Sequence, residues 1–126
     1  MPPDITLITP IFVGDQAMPQ LFGLAANRAH RSDVGGMAPG SMPLSQELYQ
    51  AGVIIPSLKL VEAGRLNQAM IDLLLANVRT PEERAGDLRA QMAANHKGAE
   101  RTQELVTKYG QNEVEHYMAG LLSYAE

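Results

Sequence analysis

A long helical segment that begins at residue 80 sets the strongest limit on how this chain folds. Thr80 fits the N-cap of a helix, Pro81 the first helical position, and Glu83 the acidic position of a capping box. Helix-forming residues then continue as far as Gly110, which suits the left-handed position just after a helix end. The pattern therefore predicts one helix over residues 81–109.

Two shorter helices flank this segment. Asn67 can cap a helix that runs to about Val78, and Asn112 opens a last helix that continues to the C-terminus. The last helix has an apolar face made of Val114, Tyr117, Met118, Leu121, Leu122 and Ala125. Joined at Gly110, the two C-terminal helices would close as an antiparallel pair or would pair with another subunit.

The long helix has a heptad-like apolar stripe. It consists of Ala85, Leu88, Met92, Ala99, Val106 and Tyr109. Asn95 and Thr102 occupy two polar gaps in the stripe. Gly86 and Gly98 are unfavourable in a helix interior by about 1 kcal/mol each relative to Ala, so their presence predicts tight backbone packing. Self-association through residues 81–126 is the expected result.

The first half of the chain has a different character. Residues 4–13 alternate apolar and polar side chains and are rich in β-branched types, which predicts a strand. A turn at residues 14–16 allows residues 21–29 to return as the second strand of a hairpin. Pro10 places the first strand at an edge or at a bulge.

These patterns predict an α+β fold. An N-terminal β-hairpin and a Gly/Pro-rich loop occupy residues 1–63, and residues 64–126 form a helical second half with one long helix and a C-terminal helix. A length of 126 residues corresponds to one domain, which is large enough for a single core.

Composition excludes several classes of function. No apolar run approaches the roughly 18 residues that cross a bilayer, so we expect no membrane span. The formal net charge is −4 and the ten Lys and Arg residues are spread along the chain, which argues against nucleic acid as a partner. The chain has no cysteine, which excludes disulfides and thiolate chemistry and fits a cytoplasmic protein.

The densest polar cluster lies at residues 27–33, where two arginines, a histidine and an aspartate follow an apolar strand. Gly35 and Gly36 come next and would let the backbone approach a ligand closely. If the chain turns there, His30 and Asp33 can reach one point. With Asp4 from the neighbouring strand they would suit a divalent ion such as Mn, Fe or Zn.

Spacing alone favours a plainer interpretation of the same residues. An aspartate before Val-Gly-Gly, as at Asp33, is more often a turn-capping carboxylate than a metal ligand. A histidine beside arginines, as at His30, is more often a surface hydrogen-bonding group. His96 and His116 fall on the predicted helices and are expected to be solvated or at an interface.

Three motifs in this order resemble the hydantoinase B/oxoprolinase family. The first is Leu24 to Pro43, LAANRAHRSDVGGMAPGSMP; the others are Asn77 to Pro81, NVRTP, and Gly86 to Asn95, GDLRAQMAAN. The strand at Asp4–Phe12 and the helix end at Tyr109–Gly110 also match, so the resemblance covers essentially the whole chain.

The resemblance implies an internal segment of a larger hydantoinase B-type domain. Such a domain opens a hydantoin or oxoproline-like cyclic amide together with an ATP-binding, Mg-using A-type subunit. It implies a divalent metal near Asp4, His30 and Asp33, and substrate contacts from Asn27, Arg28, Arg31, Gly35 and Gly36. Met1 stands where the family has a further metal-binding histidine, so we expect the 126-residue chain to bind metal weakly.

Two alternatives remain open. The isolated chain could be an inactive, stand-alone oligomeric module whose helices bind one another. Alternatively, its parent could belong to the related acetone carboxylase branch, because the residues that would select the substrate lie outside this segment.

Overall fold

The structure, a computed structural model, describes residues 4–38 and 44–125. In chain order its elements are β1 (Asp4–Val13), β2 (Gln20–His30), a short 3-10 helix (Leu48–Ala51), β3 (Val61–Glu62), β4 (Arg65–Leu66), α1 (Gln68–Ala76), α2 (Pro81–Tyr109) and α3 (Gln111–Ala125). The predicted α+β class, with an N-terminal hairpin, one long helix and a C-terminal helix, is confirmed.

Two small sheets are present within the described ranges, β1 with β2 and β3 with β4. In the second, Val61 pairs with Leu66 and Glu62 with Arg65, which leaves a two-residue turn. Both turn residues, Ala63 and Gly64, have positive φ (49° and 75°), as a type I′ turn requires. The sequence pattern predicts no second hairpin, and the predicted boundary at residues 63/64 falls inside this turn.

The chain forms two compact units. One contains the described parts of Met1–Thr6 and Arg28–Gln91, and the other contains those of Leu7–Asn27 and Met92–Glu126. β1, β2 and α2 each contribute residues to both units.

In the first unit, the buried apolar residues are Ile71 and Leu88, and the buried polar residues are Arg31, Asp33 and Gln91. α1 begins where the sequence predicted a cap, because the Asn67 side chain accepts a hydrogen bond from the Met70 backbone at 3.1 Å. The buried polar residues of this unit therefore lie in the polar cluster or bind to it, and its buried apolar residues come from α1 and α2.

In the second unit, Ile11, Val13, Ala99 and Val114 are buried. Asn95 is only 4% exposed, although the sequence analysis placed it in a gap of the apolar stripe. Its amide nitrogen donates to the Leu7 carbonyl and to the Thr9 hydroxyl, each at 3.1 Å. Gln103 likewise donates to the Phe12 carbonyl at 2.7 Å. Polar side chains of α2 thus satisfy main-chain acceptors of β1.

One expectation about the helices, that of tight packing at their glycines, is wrong. No described atom lies within 4 Å of a Cβ placed on Gly86, and a Cβ on Gly98 would meet only Ala25 at 3.9 Å, an ordinary contact. Tight packing therefore does not explain these glycines. On α3, Val114 alone of the predicted apolar face is buried, and Tyr117, Met118, Leu121 and Leu122 are exposed.

None of the helices within the described ranges combines the length and apolar character needed to cross a membrane.

Candidate functional site

An exposed polar group joins the start of β1 to the end of β2 in the first unit. Asp4 accepts hydrogen bonds from Arg28, with 2.6 Å from Nη2 and 2.7 Å from Nε to the same oxygen, Oδ2. The other oxygen of Asp4, Oδ1, lies 3.0 Å from His30 Nδ1. The side chains of Arg28 and His30 are 64% and 56% exposed, whereas that of Asp4 is 15% exposed. The carboxylate therefore holds two solvent-facing side chains.

The charge of Asp4 is favoured by both neighbours. The hydrogen bond with His30 lowers the pKa of Asp4 most, burial opposes this, and the Arg28 guanidinium lowers the pKa further, so that it lies below its ordinary value. In the tautomer that carries its hydrogen on Nδ1, His30 donates to this carboxylate, and its Nε2 is then the acceptor atom of the ring.

The donor atoms suit a divalent metal, but they are few. Asp4 and His30 supply one carboxylate and one imidazole, the ligand types that Mn, Fe and Zn accept. Within the described ranges, no group of three or more His, Cys, Asp or Glu residues could hold a metal ion. The guanidinium of Arg28 also occupies Oδ2 of Asp4. Because Arg28 and His30 take both carboxylate oxygens of Asp4, the predicted ligands do not form a metal site in the described arrangement.

The structure does not bring Asp33 to this pair. Its Oδ1 accepts from the Gly35 backbone at 2.9 Å and from Arg79 Nη1 at 3.0 Å, and its Oδ2 accepts from the Arg79 backbone at 2.7 Å. Burial raises the pKa of Asp33, but the hydrogen bonds from Arg79 and Gly35 and the Arg79 charge outweigh it, so its pKa lies below the ordinary value. This is the turn-capping arrangement that spacing alone favoured.

The glycine pair is pressed against other parts of the backbone. Gly35 and Gly36 have φ of 84° and 90°, and an added Cβ would lie 2.6 Å from the Asn77 carbonyl oxygen in the first case and from the Gln50 carbonyl oxygen in the second. These glycines are needed for close approach within the protein. The remainder of the predicted loop, residues 39–43, lies outside the described residues.

Arg31 is also engaged within the protein. It is 3% exposed, its Nη1 lies 3.3 Å from Asp87, and its Nη2 donates to the Gln91 side chain. Gln91 in turn donates to the Ile5 carbonyl at 2.7 Å. Of the predicted substrate-binding arginines, Arg28 is thus exposed while Arg31 is buried in an ion pair.

Asn27, the remaining predicted substrate contact, belongs to the second unit, where it donates to Asn95 Oδ1 at 2.8 Å.

Sequence reasoning missed the partners of the cluster. Arg79, Gln91 and Asn95 have no local signature of their function, because each binds a residue at least 46 positions away. All three lie in the motifs that carry the family resemblance, and Asn95 was otherwise interpreted only as a polar gap in an apolar stripe.

Comparison of the sequence with known proteins finds a family and several relatives. The family model described as hydantoinase B/oxoprolinase matches residues 2–126. An uncharacterized protein of Methanocaldococcus jannaschii is 46% identical over 98% of this chain and 21% of its own length. The caprolactamase subunit beta of Pseudomonas jessenii is 38% identical over 69% of this chain and 15% of its own length.

A solved structure is similar as well. The crystal structure of the ATP-dependent caprolactamase from Pseudomonas jessenii superposes with a TM-score of 0.82 and 31% identity, covering 94% of this chain and 20% of that chain. The chain spans about a fifth or less of the length of the relatives named here.

Proposed function

Because this chain belongs to the hydantoinase B/oxoprolinase family, we propose that it forms part of a B-type subunit that opens a cyclic amide with ATP. The observation that carries the proposal is the close superposition on an ATP-dependent caprolactamase. Caprolactam, hydantoin and oxoproline share an amide bond within a ring, so hydrolysis of that bond is the common reaction. The same family resemblance leaves the acetone carboxylase branch as an alternative for the substrate.

In this proposal Asp4, Arg28 and His30 are the described residues that act on the substrate. Asp4 orients the His30 ring, and the exposed Arg28 guanidinium can bind a carboxylate or a polarised amide oxygen. Asp4 and His30 would both become ligands of a divalent metal only if the metal displaced the bonds that Asp4 makes to Arg28 and His30, with further ligands from the rest of the subunit. A bound metal polarises a carbonyl group or activates water.

The proposal includes a partner. An A-type subunit would bind ATP and Mg, and the protein would act in the cytoplasm. One of the relatives carries the name of a subunit, which supports an assembly of more than one chain.

The test is ring opening by a B-type subunit that contains this sequence, assayed with its A-type partner on hydantoin, 5-oxoproline and caprolactam. We expect ATP-dependent opening of at least one ring. Asp4→Asn and His30→Asn should each lower kcat at least about 100-fold, as expected when a ligand or catalytic group is lost. Glu62→Gln, which removes an exposed ion pair with Lys59, is the control and should leave kcat unchanged.

Absence of ring opening with all three substrates, or wild-type rates in the Asp4 and His30 variants, would refute the proposal. A titration with Mn separates the two roles of the pair. Asp4→Asn should weaken Mn binding at least tenfold if Asp4 is a ligand or orients His30 as one, and equal affinity in both proteins would exclude both metal-binding roles.

Exposed apolar side chains on α3 favour a second candidate function. Tyr117, Leu121 and Leu122 are 65%, 69% and 71% exposed on one helix. A patch of this kind commonly marks a protein interface. We propose that the 126-residue chain self-associates through residues 81–126. Sedimentation at tens of micromolar should show a dimer or larger species that Leu121→Glu dissociates, and a monomer throughout would contradict the idea.

A further inference from the structure

Three separate backbone segments meet at the glycine pair of the first unit. Met37 donates its N–H to the Gln50 carbonyl at 3.0 Å, and Val53 donates to the Val34 carbonyl at 2.9 Å. On the other side, Gly35 lies so close to the Asn77 carbonyl that a Cβ would overlap with it. The segment 34–37, called here the glycine loop, is therefore enclosed by main chain on two sides.

One pair of side chains joins the glycine loop to the segment that follows Asn77. Asp33 takes hydrogen bonds from the Gly35 backbone, the Arg79 backbone and the Arg79 guanidinium. The same guanidinium donates through Nη2 to the Gly36 carbonyl at 2.9 Å. Asp33 is 6% exposed and the Arg79 side chain 43%, so the bonds on Asp33 are partly shielded, whereas the bond to Gly36 faces solvent. Arg79 thus holds both the entry and the middle of the glycine loop.

The glycine loop begins a few residues after His30, and its outer part faces solvent. Gly36 is exposed and the Met37 side chain is 63% exposed, whereas Gly35 is buried. A loop with a fixed inner side and an exposed outer side is typical of a ligand-contacting segment on a rigid support.

We propose that Arg79 is a positioning residue which, through Asp33, fixes the glycine loop in the shape that contacts the cyclic amide. This role rests on the proposed function above. It assigns Asp33 to loop geometry rather than to metal binding, and it adds Arg79 to the residues that determine substrate affinity.

The first measurement follows amide hydrogen exchange in the full 126-residue chain. Arg79→Ala should accelerate exchange of the Met37 and Val53 amides at least tenfold, and Arg79→Lys should give a smaller increase. Arg101→Ala removes an exposed ion pair with Glu104 and is the matched control, expected to change both rates less than twofold. The double variant Asp33→Asn/Arg79→Ala should exchange no faster than Arg79→Ala alone.

Unchanged exchange at Met37 and Val53 in Arg79→Ala would overturn the proposal. If Arg79→Ala does not fold, Arg79→Lys and Asp33→Asn decide the question, since both retain a polar side chain of similar size. The proposal would also be overturned if the effects of the two single substitutions on the exchange rates added fully in the double variant, because the two residues would then act independently.

The second measurement uses the B-type subunit with its A-type partner. Arg79→Ala should raise KM for the cyclic amide at least tenfold, with partial recovery in Arg79→Lys, and should leave KM for ATP unchanged. If hydrogen exchange accelerates in Arg79→Ala but KM for the amide is unchanged, the contacts of Arg79 with Asp33 and Gly36 only stabilise the fold, and the positioning role is wrong. If the wild type opens no ring, the proposed function fails while the exchange data still decide whether Arg79 holds the loop.

Discussion

Replacement of Gly35 by Ala tests the close backbone approach directly. At φ of 84° an L-residue other than glycine is disfavoured by about 1–2 kcal/mol. The new Cβ would also lie 2.6 Å from the Asn77 carbonyl oxygen, so backbone must shift, at a cost of about 1–3 kcal/mol typical of overpacking. The unfolded chain loses entropy on the same change, which returns about 0.4–1 kcal/mol. We therefore expect Gly35→Ala to lower the free energy of unfolding by about 1–5 kcal/mol.

Gly64→Ala is the matched control for this change. Gly64 also has positive φ (75°), but no described atom lies within 4 Å of an added Cβ, so only the backbone term of about 1 kcal/mol remains. Urea unfolding followed by circular dichroism gives both values on the same scale. Equal losses in the two variants would refute the close approach and show that positive φ alone explains the glycine.

Three further changes probe other parts of the structure. Leu88→Ala should lower the free energy of unfolding by about 2–5 kcal/mol in urea titrations because Leu88 is 4% exposed, and a loss below 1 kcal/mol would contradict its burial. Asn67→Ala removes the cap of α1 and should lower the free energy of unfolding by about 1 kcal/mol in thermal unfolding experiments. Asn67→Ser should keep most of that free energy, and equal stability of the Ala variant and the wild type would contradict the cap. The pKa of Asp33 is lowered on folding, so its stabilising effect is complete above the unfolded pKa of about 3.9 and is lost as pH falls through the folded pKa. A stability–pH curve measured by urea unfolding should therefore be flatter on its acid side in Asp33→Asn, and an unchanged acid side would contradict the bonds to Arg79.

Local chemistry was enough to predict most of the elements. The alternation of residues 4–13 gave the first strand with its observed bounds, and the Thr-Pro-Glu-Glu signal placed the start of α2 at Pro81. Cap residues and strand periodicity act over a few positions, so a single sequence contains them. The β3–β4 hairpin escaped because Ala63 stands at a positive φ that Asn or Gly usually occupies, and the turn lacked its ordinary signature.

The candidate site was predicted less completely, since its contacts are long-range. The proximity of Asp4 and His30 followed from two strands expected to pair, and the structure brings those side chains together. The burial of Arg31 and Asp33 did not follow, because it depends on Asp87 and Arg79 in segments whose placement a single sequence does not determine. Asn95 was interpreted as a gap in the apolar stripe of α2, because the spacing of apolar residues gives no information about hydrogen bonds from a helix to a strand.

Those helix amides also affect how the molecule behaves among its own copies. An exposed strand offers its free carbonyls to any passing chain, which is how strand-by-strand stacking into fibres begins. In the second unit, Asn95 and Gln103 already occupy the carbonyls of Leu7 and Phe12. As long as α2 remains folded, these positions of β1 are closed to foreign strands. Loss of α2 would release them beside Ile8, whose side chain is already exposed, so the solubility of this hairpin depends on a helix more than 60 residues further along the chain.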